Sequence, residues 1–385
     1  MRLSEENVLS ILQSVKQFSL PIYQRHYSWE KEQCSQLWED IVRLEKNPAQ
    51  IIGNNHFIGS IVNIEDHENQ SKFTLIDGQQ RMATLTLILI VIRDYARNNP
   101  DSDIKAVEIE NKYLKNDGLA DEEKYKLVLT GEDRDILHKL VNGNFDFAAL
   151  EHPDDEDEAV IPRLVANYNF FKQKLEFQNP ELTPQQLYDA LGKLKIVNIT
   201  LGDDDDPQAI FESLNSSGKD LSKSDLIRNF VLMRCDRNTM TSIYNRYWSR
   251  MERLFGNSER NTAFMDDFFK DYLTMQYARI PNEDQIYEEF KTWFYQALSV
   301  NRNKINTICK ELYERAQDYT NIKFARHENL QIRSVYAEIK NLKMEVSYPF
   351  LLKIHKDFRK KLITEEQLLQ IMYMCITQRF LRIET

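Results

Sequence analysis

Asp77-Gly78-Gln79-Gln80-Arg81 places a carboxylate, two carboxamides and a guanidinium in five consecutive positions. An apolar strand-like run ends in Leu75-Ile76, and a long apolar helix begins at once after Gly78. A helix start leaves N–H groups without intrahelical partners and carries the positive end of the dipole, so it favours an anion. Side chains of these types at such a turn suit a phosphate. Arg81 would neutralise its charge, Gln79 or Gln80 would orient a water, and Asp77 would hold Mg²⁺ or position that water. Thr84 lies one turn further along. A plain helix cap with surface amides is the competing reading, and so many polar groups in one turn argue against it.

Three further clusters have the same flavour. Pro21-Ile22-Tyr23-Gln24-Arg25-His26-Tyr27-Ser28-Trp29 sets aromatic rings, an amide and a guanidinium between a strand end and a helix start. Arg25 can grip phosphate through paired N–H groups, and Tyr23 and Tyr27 can stack on a base or line a pocket. An aromatic hinge with Arg25 in an ion pair is the alternative. In His56-Phe57-Ile58-Gly59-Ser60, a glycine inside a strand marks a close approach of backbone or ligand. His56 reads as a structural histidine more readily than as a base. From Phe211 to Asn229, Glu212, Asn215, Asp225 and Arg228 combine acids, an amide and a base around one turn. Asp225 and Arg228 also have the i,i+3 spacing of a helix-surface pair. Gly218-Lys219 is not a P-loop, because Asp220 follows the lysine.

The elements that must position these groups follow from pattern. Residues 5–16 read as a short helix, Phe18–Tyr23 as extended, and a helix capped by Ser28 runs through Trp29, Leu37, Trp38, Ile41 and Leu44. Asn54-Asn55 marks a turn. Strands over Phe57–Ile64 and Lys72–Ile76 are joined by a polar turn, and Met82, Leu85, Ile88, Leu89 and Ile92 share one side of the helix from Gln79. Residues 100–195 are mostly helical, with a short strand in Lys124–Thr130. Residues 195–201 read as a strand that returns to the small sheet. The acidic runs 153–158 and 203–206 read as solvated turns, the second capping a helix that starts at Pro207; metal binding is the alternative for Asp203–Asp206. Ser222 caps a helix through Val231, and helices rich in Tyr, Phe and Leu fill the chain after about 238. The expected fold class is α+β and predominantly helical. A small α/β unit comprises 1–98 with 195–235, a helical insertion spans 99–194, and a helical domain spans 236–385.

With 42% hydrophobic residues and 385 in all, the chain can bury a sizeable core. Fifty basic against 60 acidic residues excludes a uniformly basic nucleic-acid binder, though a local basic groove stays open. Ten glycines and ten prolines suit long helices. Cys34, Cys235, Cys309 and Cys375 show no CxxC spacing and read as free thiols in a reducing cytoplasm. No apolar run is long enough for a membrane span, and no signal peptide is evident. GxSxG, HExxH, GxGxxG and zinc-ligand patterns are missing.

Together the clusters resemble a known family: the N-terminal region of GmrSD-type, modification-dependent restriction proteins, often labelled by their DGQQR motif. The resemblance rests on Pro21–Arg25 with Tyr27 and Trp29, on His56–Ile61, on Leu75–Arg81 with Thr84-Leu85, and on Phe211-Glu212 through Asp225–Asn229. Gln378-Arg379-Phe380-Leu381-Arg382 is similar to the arginine-bearing helix that closes the region. It implies a ParB/sulfiredoxin-like small unit and nucleoside triphosphate hydrolysis, with Mg²⁺ at Asp77, coupled to restriction of modified phage DNA. By position, Asp77, Gln79, Gln80 and Arg81 would be catalytic. Tyr23, Gln24 and Arg25 would line the same pocket or a neighbouring modification-sensing one. Gly78, Thr84, Glu212, Asn215, Asp225 and Arg228 are the further residues expected to bind the nucleotide.

The expected partners are DNA and a His-Asn-His-type nuclease domain or subunit outside this chain, with homo-oligomer formation left open and no membrane. Cleavage by this chain alone is not expected. The rival expectation is a non-enzymatic module that binds modified DNA through the same polar groups.

Overall fold

The computed structural model describes residues 1–46, 56–119, 121–148, 161–177, 180–215, 221–256, 259–300 and 305–383. Side chains are described for these except at residues 122, 215, 237, 259–262, 300 and 378–383. The turn at Asn54-Asn55, the acidic run 153–158 and the turn residues Ser216–Gly218 therefore lie outside the described residues, as do the side chains of Asn215 and Gln378–Arg382.

Six strands form one mixed sheet: β1 (Arg2–Asn7), β2 (Gln17–Ser19), β3 (His56–Glu65), β4 (Lys72–Asp77), β5 (Leu127–Val128) and β6 (Leu194–Leu201), in the order β1-β6-β3-β4-β2-β5. Around the strands lie α1 (Val8–Gln13), α2 (Lys31–Lys46), α3 (Gln79–Asn98), α4 (Ala106–Ile109), α5 (Gly131–Asn142), α6 (Arg163–Glu176) and α7 (Pro184–Lys193). The rest is helical: α8 (Pro207–Asn215), α9 (Lys223–Leu232), α10 (Arg237–Ile243), α11 (Ser249–Phe255), α12 (Glu259–Tyr277), α13 (Ile286–Val300), α14 (Ile305–Lys323), α15 (Leu330–Asn341), α16 (Tyr348–Arg359) and α17 (Glu365–Ile383). The fold class is α+β and predominantly helical. Two compact units emerge, Met1–Phe211 and Glu212–Thr385, so residues 212–235, attached from sequence to the α/β unit, cluster with the helical one.

β3 and β4 form an antiparallel hairpin, and β6 returns to the sheet, pairing parallel to β3. A buried polar ladder fixes that return. Asn63 donates to Asn198 Oδ1 at 2.7 Å, Thr200 donates to Asn63 Oδ1 at 3.1 Å, and Asn198 donates to Glu6 at 2.8 Å. Each buried amide finds a partner on the neighbouring strand, so a register slip would strand several polar groups at once. The same ladder reaches β1, where the structure corrects the sequence. Residues 5–7 are strand, not helix, and the helix is only Val8–Gln13. β1 is held by antiparallel pairing from Arg2↔Thr200 to Asn7↔Lys195, with a partner nearly 200 residues away that no local pattern reveals.

α3 is buried on almost every side, as an all-round apolar helix must be. Near its C-terminal end, fully buried Arg93 donates to the carbonyls of Leu140 and Val141 at the end of α5, a cation placed at a helix C-terminus. Asp206 accepts from Gln208 and Ala209 N–H at 2.9 and 3.2 Å and caps α8, as expected of the 203–206 turn. Among the described residues no group of three His, Cys, Asp or Glu side chains is placed to hold a metal ion. Cys34 and Cys309 are buried free thiols, while Cys235 and Cys375 are half-buried.

The second unit is built on aromatic packing, with Phe230 edge-on to Phe290 and Phe294. It also buries two groups that titrate in opposite senses. Burial pushes the Asp271 carboxyl up to about 7, with Asp267 adding to the rise. Burial pushes His355 down to about 4, and its Nε2 meets Tyr336 Oη at 2.8 Å. The folded chain takes up a proton at Asp271 before the unfolded chain does, so this group favours folding at low pH and that advantage fades as pH rises toward 7. His355 behaves oppositely: its contribution is complete above the unfolded value of about 6.5 and is lost as pH falls toward 4. Asp271→Asn should therefore gain stability relative to wild type as pH rises from 4 to 7, by on the order of 3 kcal/mol. His355→Gln should gain relative to wild type as pH falls from 6.5 to 4. Denaturant unfolding of each pair across this range checks both, and pH-independent differences would refute them.

Candidate functional site

The junction is built from the hairpin upward. β4 ends at Asp77, and Gly78 turns the chain in the left-handed region at φ +90° to open α3. A Cβ at residue 78 would lie 2.7 Å from Ile61 Cγ2 and 2.9 Å from the Ser60 carbonyl oxygen, so only glycine fits here without shifting the structure. The Asp77 carboxylate is half-buried and makes no hydrogen bond or ion pair with the described residues.

Residues 79–84 then diverge around the helix. Gln80 is buried and both ends of its amide are engaged: Oε1 accepts from Ser28 N–H at 2.8 Å, and Nε2 donates to the His26 carbonyl at 3.3 Å. Thr84 donates to the Gln80 carbonyl and meets Tyr27 Oη at 2.7 Å. Gln79 is equally buried, but its Oε1 has no hydrogen-bond partner among the described residues. It shares a recess of about 10 Å³, room for roughly one water, with Arg25, Thr130 and Asp133.

Arg81 points to a different place. Its guanidinium lies on Gly59, and Nη1 donates to the Ser60 carbonyl at 2.8 Å. A Cβ at residue 59, where φ is +110°, would sit 2.7 Å from Arg81 Cζ. The β3–β6 register shifts between Phe57 and Ser60, so Gly59 sits in a bulge, a device that re-aims a strand beside a site. The close approach expected at Gly59 is thus made by Arg81 itself. Arg81 lines a cleft of about 320 Å³ with Trp29, Gln33, Gln36, Asp40 and His56. His56 Nε2 lies 3.5 Å from the Asp40 carboxylate, an ion pair whenever the imidazole is protonated.

The 21–29 segment is held from all sides. Buried Gln24 donates to the Ile76 carbonyl at 2.7 Å, tying this segment to the end of β4. Asp133 accepts from Tyr27 N–H at 2.7 Å, Asn167 donates to Tyr27 Oη and to the Trp29 carbonyl, and Arg163 donates to the Ser28 carbonyl. Tyr23 and Tyr27 are buried, and burial raises both phenols far above their usual range. Burial also pushes the Cys34 thiol, beside Tyr27, up to about 11, so it is protonated at neutral pH.

Of the expected residues from the second unit, Glu212, Asp225 and Arg228 have partners within that unit. Burial opposes the Arg228 charge, but Asp225 and Glu252, each at 2.7 Å, outweigh it and keep the guanidinium protonated. Ser222 caps α9 as expected, accepting from Asp225 N–H. Glu212 accepts from Tyr287 and from Lys291. Sequence reasoning missed Gln33, Gln36 and Asp40, whose spacing on α2 puts them on one helix face beside Leu37. It also missed Asp133, Arg163 and Asn167, which act through contacts far apart in sequence.

These features define an α+β protein that gathers its polar groups at one strand-to-helix junction. The GmrSD restriction endonuclease N-terminal domain family matches residues 8–232, more than half of the chain, and the chain belongs to that family. Membership implies a role in a restriction system, whose family members act on DNA with a nuclease domain. No curated protein matches the chain. No helix among the described residues is long and apolar enough to cross a membrane.

Gly59→Ala should expel the Arg81 guanidinium and strain the backbone, costing about 1–3 kcal/mol. A thermal melt should show the loss, and an unchanged melting temperature would contradict the close contact drawn here.

Proposed function

We propose that the first unit binds and hydrolyses a nucleoside triphosphate, and that it serves as the sensor of a restriction system acting on modified phage DNA. The nuclease it regulates would be a separate domain or subunit. The observation that carries this reading is the placement of Arg81. Its guanidinium is fixed by Ser60 and Gly59 at the wall of a cleft beside the start of α3. A preorganised cation next to a helix N-terminus stabilises phosphate charge without having to reorganise as that charge develops.

In this reading Arg81 binds phosphate and Arg25 assists from the smaller recess. Asp77, with no partner among the described residues, suits a Mg²⁺ ion that takes its remaining ligands from phosphates and water, since Mg²⁺ is commonly held by one or two carboxylates. The ion would neutralise phosphate charge. Gln79 is the better candidate than Gln80 for orienting the attacking water, because the Gln80 amide is committed at both ends to residues 26–28. Gln24 and Thr84 support the wall rather than the ligand, and Gly78 supplies the turn.

Turnover of a panel of nucleoside triphosphates, with melting curves as a control, tests this. Arg81→Ala and Asp77→Ala should each lower turnover by about 100-fold or more. Gln79→Ala should lose turnover while keeping its melting temperature, whereas Gln80→Ala should lose stability first. Turnover equal to wild type in Asp77→Ala and Arg81→Ala would sink the assignment. Modification-dependent DNA affinity, with no hydrolysis and no effect of nucleotide, would favour a non-enzymatic DNA-binding module instead.

A further inference from the structure

We infer that the cleft between α2 and the start of β3 seats the nucleobase of the nucleotide, and that Gln33, Gln36 and Asp40 set which base is preferred. This rests on the reading of the first unit as a nucleotide-binding one. Of the two recesses flanking the first turn of α3, one is about 10 Å³ and the other about 320 Å³. The smaller admits roughly a water, while the larger reaches the lower bound of small-molecule sites. Of these two, the larger is the one with room for a base.

Its lining matches a flat heterocycle. Trp29 and Phe57 offer aromatic surface and Leu37 and Leu85 aliphatic surface. A base needs such walls together with a few donors and acceptors at its edge. These come from one face of α2, because positions 33, 36, 37 and 40 follow helical spacing. Gln33 spends its Oε1 on the Glu30 N–H at 2.8 Å, which leaves its amide NH₂ as a donor. Gln36 is exposed and offers a donor and an acceptor side by side, the pairing that reads a base edge. Asp40 accepts only, and its carboxylate lies 3.5 Å from His56 Nε2 and 3.8 Å from Arg43 Nη1. Arg81 lines the same cleft, so a base seated there is tethered to a phosphate near that guanidinium.

The test measures kcat and KM for the four ribonucleoside triphosphates with the full chain and with Gln36→Leu, Gln36→Glu, Gln33→Leu and Asp40→Asn. Gln36 is exposed, so its variants remain informative if another fails to fold. The expected result is a shift of about tenfold or more in the kcat/KM ratio between bases, carried mainly by KM. Photolabelling with 8-azido-ATP or 8-azido-GTP should mark peptides from 29–40 or 56–58. A wild-type chain that binds and hydrolyses no nucleotide would defeat the functional reading itself. Nucleotide turnover with base ratios unchanged in every folded variant, or labelling confined to the Arg25 side, would overturn the base cleft and leave that reading standing.

Discussion

Arg81 lies flat where a side chain on residue 59 would stand, and much of the first unit is arranged around that contact. The guanidinium needs a residue without Cβ beneath it, so β3 carries a glycine at φ +110° and a bulge against β6. It needs a carbonyl to fix its angle, and Ser60 supplies one. It must also start from a helix whose first turn is pressed against β3, so residue 78 is a glycine, because a Cβ there would come within 3 Å of Ser60 and Ile61. The two glycines solve one steric problem from opposite sides: the close packing of a hairpin strand against the helix that follows it. A charge held this way loses little freedom when a ligand arrives, which is the physical basis of preorganisation.

The second constraint is the disposal of backbone groups in the 21–29 segment. A chain that leaves an inner strand of the sheet and crosses a buried helix carries amides and carbonyls that need partners. Gln80, Asp133, Arg163 and Asn167 satisfy those at residues 26–29 with side chains from three different helices. Tyr27 Oη is met by Thr84 and Asn167, so α3 and α6 both grip one phenol. Part of the polar content of Asp77–Arg81 is thus scaffolding. Its density in the sequence reflects side chains that leave one helical turn in different directions.

That mixture explains what could be read without coordinates. The hairpin β3–β4, the helix from Gln79, the strand β6 and the caps at Ser222 and Asp206 were legible because periodicity and turn chemistry are local. So was the close approach at Gly59, although its partner was not. β1 was misread because a charged six-residue edge strand has no pattern of its own and exists through pairing with β6. The roles of Gln24, Gln79 and Gln80 could not be separated in sequence, since three glutamines look alike until their partners are known. Asp225 and Arg228 looked like ligand groups, and the helix-pair reading of their i,i+3 spacing describes what they do within the second unit.

The separation of Gln79 from Arg81 has a mechanistic consequence. Successive residues on a helix point about 100° apart, so positions 79 and 81 cannot face one small pocket. A ligand that used both would have to lie across the end of α3, over Gly78 and Asp77, with its bulky part on the Arg81 side, where about 320 Å³ is open. A triphosphate chain has the length for that path and would pass the helix N-terminus, where dipole and unpaired N–H groups favour its charge. A compact anion would engage one face alone. In the proposed reading the tight 10 Å³ recess on the Gln79 side would be the right scale for a hydrolytic water, with Arg25 at its wall.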